Sequence, residues 1–338
     1  MECFYNPNAA PFVVNGVLQD PDSGRYLRMP AAAAERVSPA VAELNRHTAG
    51  GRVRFKTDAK SIAIKCVQSH RLNIPHMTQT AQSGFSLYAD NAFFRAFIPP
   101  YEKPESYGGF EGEIVFFDNK LRDITIYFPS HNEVRELYVG LNDGCRILPP
   151  DEYKIRKPVL FYGSSITQGG CASRPGNTYA EMVCRRLNAD FINLGFSGSA
   201  KGEPAMGEYL GSLDVSLFVL DYDHNAPDAG HLQKTHYPFY KLYRKLRPDT
   251  PVIMMSKPDF DSDRVANAKR RQVIIDTFNK GKAEGDKNLY FIDGETLFGN
   301  IRRDDCTVDG CHPNDVGFER MADTVFQVMK PIFDGRFL

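Results

Sequence analysis

The spacing of apolar and polar positions changes near residue 150. Before it, short runs alternate or nearly alternate: Arg-Val-Arg-Phe-Lys-Thr at 52–57 and Ile-Ala-Ile-Lys-Cys-Val at 62–67, then 84–90, 92–98, 113–117, 124–128 and 137–141. Period-two runs recurring about every ten residues predict an antiparallel β-sandwich over residues 1–150. One helix is expected inside it at 38–45, where Ser38 can cap and Pro39 fits the first helical position. A proline-rich stretch at 148–158 marks the expected linker.

Beyond the linker, apolar runs at 158–162, 190–194, 216–221, 252–255 and 288–293 alternate with helical patterns. Tyr179, Met182, Val183 and Leu187 fall at helical spacing, and Val316, Met321, Val325 and Met329 form the last such pattern. Five buried-type strands separated by helices predict a parallel sheet covered on both faces, a three-layer α/β/α domain over residues 151–338. There is no internal repeat.

Composition narrows the partners. Of 338 residues 42% are hydrophobic and 25% charged, and the formal net charge is -1, as in a globular protein with room for two cores. Lys and Arg are interspersed with Asp and Glu, so nucleic acid is not an expected partner. No run approaches the roughly 18 apolar residues of a membrane span, and the first residues lack a basic segment followed by an apolar one; neither membrane nor export is expected. Seven cysteines without framework spacing suit reduced thiols, and the cytoplasm is the expected compartment. Cys306, Cys311 and His312 lack a second ligand pair at metal spacing, and no glycine-rich loop matches a nucleotide fingerprint, so neither metal nor cofactor is expected. The oligomeric state stays open, a homo-oligomer included.

Candidate chemistry gathers at the carboxyl ends of the expected parallel strands, where open α/β sheets bind ligands. Pro158-Val-Leu-Phe-Tyr-Gly-Ser-Ser-Ile-Thr-Gln-Gly169 places Ser165 just past the first strand. Gly198 lies in Asn193-Leu-Gly-Phe-Ser-Gly-Ser199, and Asn225 in Asp221-Tyr-Asp-His-Asn-Ala-Pro227. Asp309 and His312 stand three residues apart in Asp309-Gly-Cys-His-Pro-Asn314, a spacing that brings carboxylate and imidazole to one side of a loop. Taken singly, each has a plainer reading as a turn, a cap or a surface ion pair.

Together the four blocks resemble those of the SGNH or GDSL hydrolase family, named for Ser, Gly, Asn and His. The resemblance implies Ser165 as nucleophile, His312 as general base and Asp309 as its orienting acid. Ser165, Gly198 and Asn225 are then the oxyanion donors. It also implies a flavodoxin-like five-stranded sheet and no cofactor. Gly84-Phe-Ser-Leu-Tyr88 is similar to the Gly-x-Asp-Leu-Tyr signature of the jelly-roll-like β-sandwich preceding some of these hydrolases. Three positions depart from the pattern: Ser164 stands for the usual Asp, Asp223 for a Gly and Ser86 for an Asp. A carboxylate at 223 would oppose an oxyanion unless it is turned away or paired.

The activity implied is hydrolysis of small acyl esters, acetyl groups of oligosaccharides first. In Cys171-Ala-Ser-Arg-Pro-Gly-Asn-Thr178, Arg174 and Asn177 are candidates to meet sugar hydroxyls, or part of a loop leading into a helix. Two alternatives remain open: a short-chain lipid or thioester acylhydrolase, and a glycan-binding protein with a degenerate hydrolase site.

Overall fold

Strand-forming alternation in the first half of the chain produces two antiparallel sheets around one apolar core. The computed structural model of the protein describes residues 2–70, 72–101 and 108–335. One compact unit takes the chain up to Ala31, then Asn45–Tyr153 and Ser173–Gly176; the other takes Ala32–Leu44, Lys154–Ala172 and the described chain from Asn177 onward. A single cut between 150 and 151 assigns the two short excursions the other way.

The first unit holds strands Glu2–Tyr5 (β1), Val13–Asn15 (β2), Leu18–Gln19 (β3), Tyr26–Leu27 (β4), Arg52–Thr57 (β5), Ser61–Val67 (β6), Phe85–Ala89 (β7), Ala92–Phe97 (β8), Phe110–Val115 (β9), Arg122–Tyr127 (β10), Glu136–Asn142 (β11) and Ile147–Leu148 (β12). One sheet runs β1-β11-β6-β9, the other β12-β5-β10-β7-β8 with β2 also on β5. Alternate residues of both sheets, among them Val53, Phe55, Ile62, Ile64, Leu87, Ile126 and Val139, are fully buried in one cluster. Period-two side chains demand this arrangement, because each strand has one apolar face to hide.

The expected strands all form, with one shifted. The run at 113–117 becomes Phe110–Val115, because pairing of Phe110 with Cys66 and Ile114 with Ile62 turns both inward and leaves Phe117 fully exposed. Strands β1 to β4 and β12 carry no readable pattern: they are two to four residues long, and Phe4 and Val13 are exposed. The proline-rich segment is pinned, with the Arg54 guanidinium 3.8 Å above the Tyr153 ring and its Nη2 donating to the Asp151 carbonyl at 2.7 Å. Of the helices Ala31–Val37 (α1), Pro39–Leu44 (α2) and Gln79–Ser83 (α3), only α2 is expected from sequence, although Thr78 also caps α3 by accepting the Ala81 N–H at 3.1 Å. The Ser38 hydroxyl accepts from the Val41 N–H at 3.2 Å.

The Gly84–Tyr88 stretch enters β7, where Phe85, Ser86, Leu87 and Tyr88 are buried. Tyr88 reaches the loop at 173–176, donating from its hydroxyl to the Gly176 carbonyl at 3.1 Å. Gly176 has φ +84°, and a Cβ there would lie 2.6 Å from the Tyr88 ring, so only glycine fits. The Ser86 hydroxyl, where the family signature has Asp, has no hydrogen-bond partner among the described residues.

In the second unit, Ile155–Gly163 (β13), Ala189–Gly195 (β14), Leu217–Asp221 (β15), Val252–Met255 (β16) and Leu289–Ile292 (β17) form an all-parallel sheet in the order β14-β13-β15-β16-β17. This is the flavodoxin-like order, with the switch point between β13 and β15. The helices are Ser165–Gln168 (α4), Tyr179–Leu187 (α5), Pro204–Ser212 (α6), Ala229–Leu246 (α7), Arg264–Ala283 (α8) and Asp315–Asp334 (α9). Right-handed crossovers send the β13-to-β14 connection to one face and the next three to the other. The packing agrees: α5 lies against α9, and α7 against both α6 and α8. Helix α5 carries a full capping box, Thr178 with Glu181, and buries Tyr179, Met182 and Val183 as their spacing predicts. In α9 the inward stripe is Phe318, Met321, Val325 and Met329, whereas Val316 faces out.

Tyr88→Phe removes one buried hydrogen bond and should cost about 1 kcal/mol. Gly176→Ala should cost more, since it adds left-handed strain and a clash. Urea midpoints of the two variants check this order.

Candidate active site

Strand β13 ends in Gly163, and the chain turns at once into α4. The turn sits low on the sheet because two glycines let it. A Cβ on Gly163 would lie 2.1 Å from Thr167 Oγ1 and 2.5 Å from the Asp221 carbonyl oxygen, and one on Gly195 would lie 2.2 Å from the Gln168 nitrogen. Ser164 caps the helix: its buried hydroxyl accepts from the Ile166 N–H at 3.1 Å. Ser165, the next residue, is only half-buried, and its Oγ is 2.9 Å from His312 Nε2. The helix stops at Gly169, where φ is +110°.

Beneath the turn, Asp221 at the end of β15 accepts from Thr167 Oγ1 at 2.8 Å and the Tyr179 hydroxyl at 2.7 Å. Burial pushes its carboxyl up to about 7, against the lowering effect of the two hydroxyls. Asn193 donates to the Thr167 carbonyl at 2.7 Å and accepts from the Gly195 N–H at 2.9 Å. Gln168 Oε1 accepts from both the backbone and the hydroxyl of Ser197 at 3.0 Å, joining the nucleophile turn to the glycine loop.

His312 is carried by a tight loop closed by a bridge between Thr307 and Pro313. Asp309 Oδ1 accepts the backbone N–H groups of Cys311 at 3.0 Å and His312 at 2.7 Å, while Oδ2 lies 2.8 Å from His312 Nδ1. Partial burial raises the Asp309 carboxyl, but these backbone donors and the imidazole outweigh it and hold the carboxyl at about 2. The His312 ring is raised above its ordinary value, first by the Cys311 side chain and then by Asp309, against the opposing effect of burial. Ser165, His312 and Asp309 thus form one continuous line of contacts.

Gly198 has φ +69° in an open loop, a conformation that glycine adopts without strain. Asn225, in the one-turn 3-10 helix after β15, donates from Nδ2 to the Phe196 carbonyl at 2.6 Å. That bond ties it to the loop of Gly198. Asp223 is turned away and paired: its fully buried side chain lies 3.0 Å from Arg270 Nε and accepts the Lys257 N–H at 2.9 Å. Arg270 also donates to the backbone carbonyls of Asp223 and Ala226. The charge that a carboxylate at 223 brings is therefore met by Arg270 of α8.

Arg174 and Asn177 fall in different compact units. Arg174 stacks its guanidinium 4.0 Å over the Phe93 ring, and Asn177 is buried just ahead of the Thr178 cap. A cleft of about 520 Å³ opens at the amino ends of β13 and β15, lined by Lys154, Arg156, Asp214 and Phe333 among others, and holds none of the residues picked from sequence. Asp221, Gln168 and Arg270 were missed. The only signal for Asp221 was its place at the end of an apolar run, and Arg270, in mid-helix, gave none. No described helix is long and apolar enough to cross a membrane.

Fold and family together define a carboxylic ester hydrolase of the SGNH type. The chain belongs to the GDSL-like lipase/acylhydrolase family, whose model matches residues 156–330. A second model, for the GxDLY amino-terminal part of SGNH-hydrolase-type esterases, matches residues 3–147. Among curated proteins no sequence matches the chain. The solved structure of a GDSL-like lipase from Bacteroides ovatus ATCC 8483 is 26% identical with a TM-score of 0.87, covering 99% of this chain and 98% of that one. Two others share the fold. A salicylyl-acyltransferase of a tetracycline biosynthetic pathway is 20% identical with a TM-score of 0.80, covering 98% of this chain and 97% of that one. An acetyl xylan esterase from the rumen bacterium Butyrivibrio proteoclasticus is 13% identical with a TM-score of 0.63, covering 98% of this chain and 99% of that one.

An NMR titration of the His312 ring should give a pKa above the ordinary value of about 6.5. In Asp309→Asn the value should fall, because a neighbouring negative charge is lost. An unchanged value would show that Asp309 does not act on the imidazole.

Proposed function

We propose that the protein removes small acyl groups, acetyl foremost, from hydroxyls of oligosaccharides through an acyl-enzyme on Ser165. The observation that carries this reading is the line of contacts from Ser165 Oγ to His312 Nε2 at 2.9 Å and from His312 Nδ1 to Asp309 Oδ2 at 2.8 Å. An alcohol is a weak nucleophile until a base takes its proton, and a base set within hydrogen-bond reach supplies that.

In the first step Ser165 Oγ attacks the ester carbonyl carbon while His312 takes the hydroxyl proton. The charge that appears on the carbonyl oxygen is met by the N–H groups of Ser165 and Gly198 and by the Asn225 amide. His312 then gives its proton to the departing sugar oxygen, and the C–O bond breaks to leave acyl-Ser165. Water repeats the sequence: His312 takes its proton, the acid is released and Ser165 regains its hydrogen. Asp309 holds the imidazole in the tautomer with hydrogen on Nδ1 and stabilises the imidazolium between the two transfers.

Support for an acetylated sugar comes from the likeness in fold to the acetyl xylan esterase, and the GxDLY amino-terminal match supports an esterase. Arg174 and Asn177 remain candidates for sugar contact on position in sequence alone. The likeness in fold to the acyltransferase favours a second reading, in which an alcohol other than water takes the acyl group.

Acetate release from acetylated oligosaccharides, followed by mass spectrometry, tests the proposal. Ser165→Ala should lower turnover by roughly 10⁴-fold or more. Ser164→Ala should lose only its cap, about 1 kcal/mol of stability. Across acetyl, butyryl and octanoyl esters kcat/KM should fall with chain length. A rise would favour a lipid substrate, and product appearing as a new ester in the presence of an added alcohol would favour transfer.

A further inference from the structure

Three side chains from three separate loops converge next to His312. His224 comes from the turn after β15, Asp259 from the loop after β16 and Cys311 from the loop before α9. His224 Nε2 lies 3.1 Å from Asp259 Oδ1 and 3.3 Å from Cys311 Sγ, and one ligand atom from each of the three residues lies within 4.8 Å of the other two. Asp259 is buried, its side chain 5% exposed, yet its Oδ1 makes no hydrogen bond of acceptable geometry. Its partner on that oxygen is the His224 ring at ion-pair distance, which asks what the cluster serves.

An acid-base relay does not answer. A relay needs the acid on one ring nitrogen and the thiol on the other, as Asp309 and Ser165 stand about His312. Here oxygen and sulfur approach the same nitrogen. Three donors facing one point is what a cation requires. In a tetrahedral zinc site, bonds of about 2.0–2.3 Å give ligand-to-ligand edges of roughly 3.3–3.6 Å, close to the 3.1 Å and 3.3 Å at which His224 Nε2 stands from the oxygen and the sulfur. The other carboxylate oxygen is already oriented, with Lys257 Nζ at 3.1 Å and Ser262 Oγ at 3.0 Å from Asp259 Oδ2.

We propose that His224 Nε2, Asp259 Oδ1 and Cys311 Sγ bind a zinc ion, with a water as fourth ligand. One nitrogen, one oxygen and one sulfur donor suit zinc among the common biological cations. On binding, the Cys311 thiol and the His224 Nε2–H both give their protons to solvent as the zinc–sulfur and zinc–nitrogen bonds form, so uptake of the ion is favoured as pH rises. The Lys257 ammonium beside Oδ2 opposes the ion and tempers its affinity. The competing set Asp309, Cys311 and His312 is also close enough, but there both imidazole nitrogens already face Ser165 and Asp309. The three ligands sit in the loops that carry Asn225 and His312 and in the loop after β16, so one ion would fasten these loops together. This inference stands on its own geometry and does not depend on the esterase reading.

The test uses the full-length protein, loaded with zinc, dialysed and measured by plasma mass spectrometry, alongside Cys311→Ser and His224→Asn. The unsubstituted protein should keep about one zinc per chain and gain thermal stability from it. Both variants should lose the zinc and the gain in Tm, with apo circular dichroism reporting their folding; if one fails to fold, the other carries the test. With cobalt, thiolate charge-transfer absorption should appear in the unsubstituted protein and vanish in Cys311→Ser. Three results would overturn the proposal: no zinc retained, zinc without a Tm shift, or zinc kept by His224→Asn and lost by His312→Ala.

Discussion

The close seating of one short turn on the parallel sheet governs the second unit. Helix α4 can lie against the carboxyl ends of β13 and β14 only because Gly163 and Gly195 have no side chain there; either Cβ would fall about 2 Å from backbone or from Thr167. What glycine permits, Asp221 fixes, by taking the hydroxyls of Thr167 and Tyr179 on one buried oxygen. Helix α5 therefore helps to hold α4, since Tyr179 is its first residue. Ser165 is left at the rim with its hydroxyl toward His312, while Ser164 is turned down into the cap.

Charge is sorted by the same architecture. Three acids close to the site in sequence or space have three different environments. Asp309 is exposed, faces two backbone N–H groups and an imidazole, and stays ionised. Asp221 is sealed among neutral donors, and burial drives its carboxyl up to about 7. Asp223 stands beside the Asn225 loop but is held by Arg270 and the Lys257 N–H. Of these three, only the Asp309 carboxylate meets the His312 ring, the arrangement that the proposed general base needs.

How much of this was legible in sequence follows from the range of each interaction. Alternation at 52–57 and helical spacing at 179–187 are local, and the structure keeps both ranges. The four chemical blocks were legible because each lies just past an apolar run or, for Asp309 and His312, within one turn. Edge strands such as β1 were not, because Phe4 is exposed and no inward face can be read. Nor were pairings across 54 residues from Thr167 to Asp221, 47 from Asp223 to Arg270, or 87 from His224 to Cys311. These are set by which strand ends become neighbours, and strand order is a property of the sheet. Arg174 is a further long-range case: nothing near it in sequence announces that its guanidinium stacks on Phe93.

The central claim is that the nucleophile is Ser165 and that its reactivity comes from the contact with His312. Treating the protein with a fluorophosphonate, digesting it and locating the adduct by tandem mass spectrometry tests this without a known substrate. The account predicts a single adduct on Ser165, forming in step with loss of esterase activity and strongly slowed in His312→Ala. An adduct on Ser164 or Ser199, or one on Ser165 that forms equally fast without His312, would contradict it.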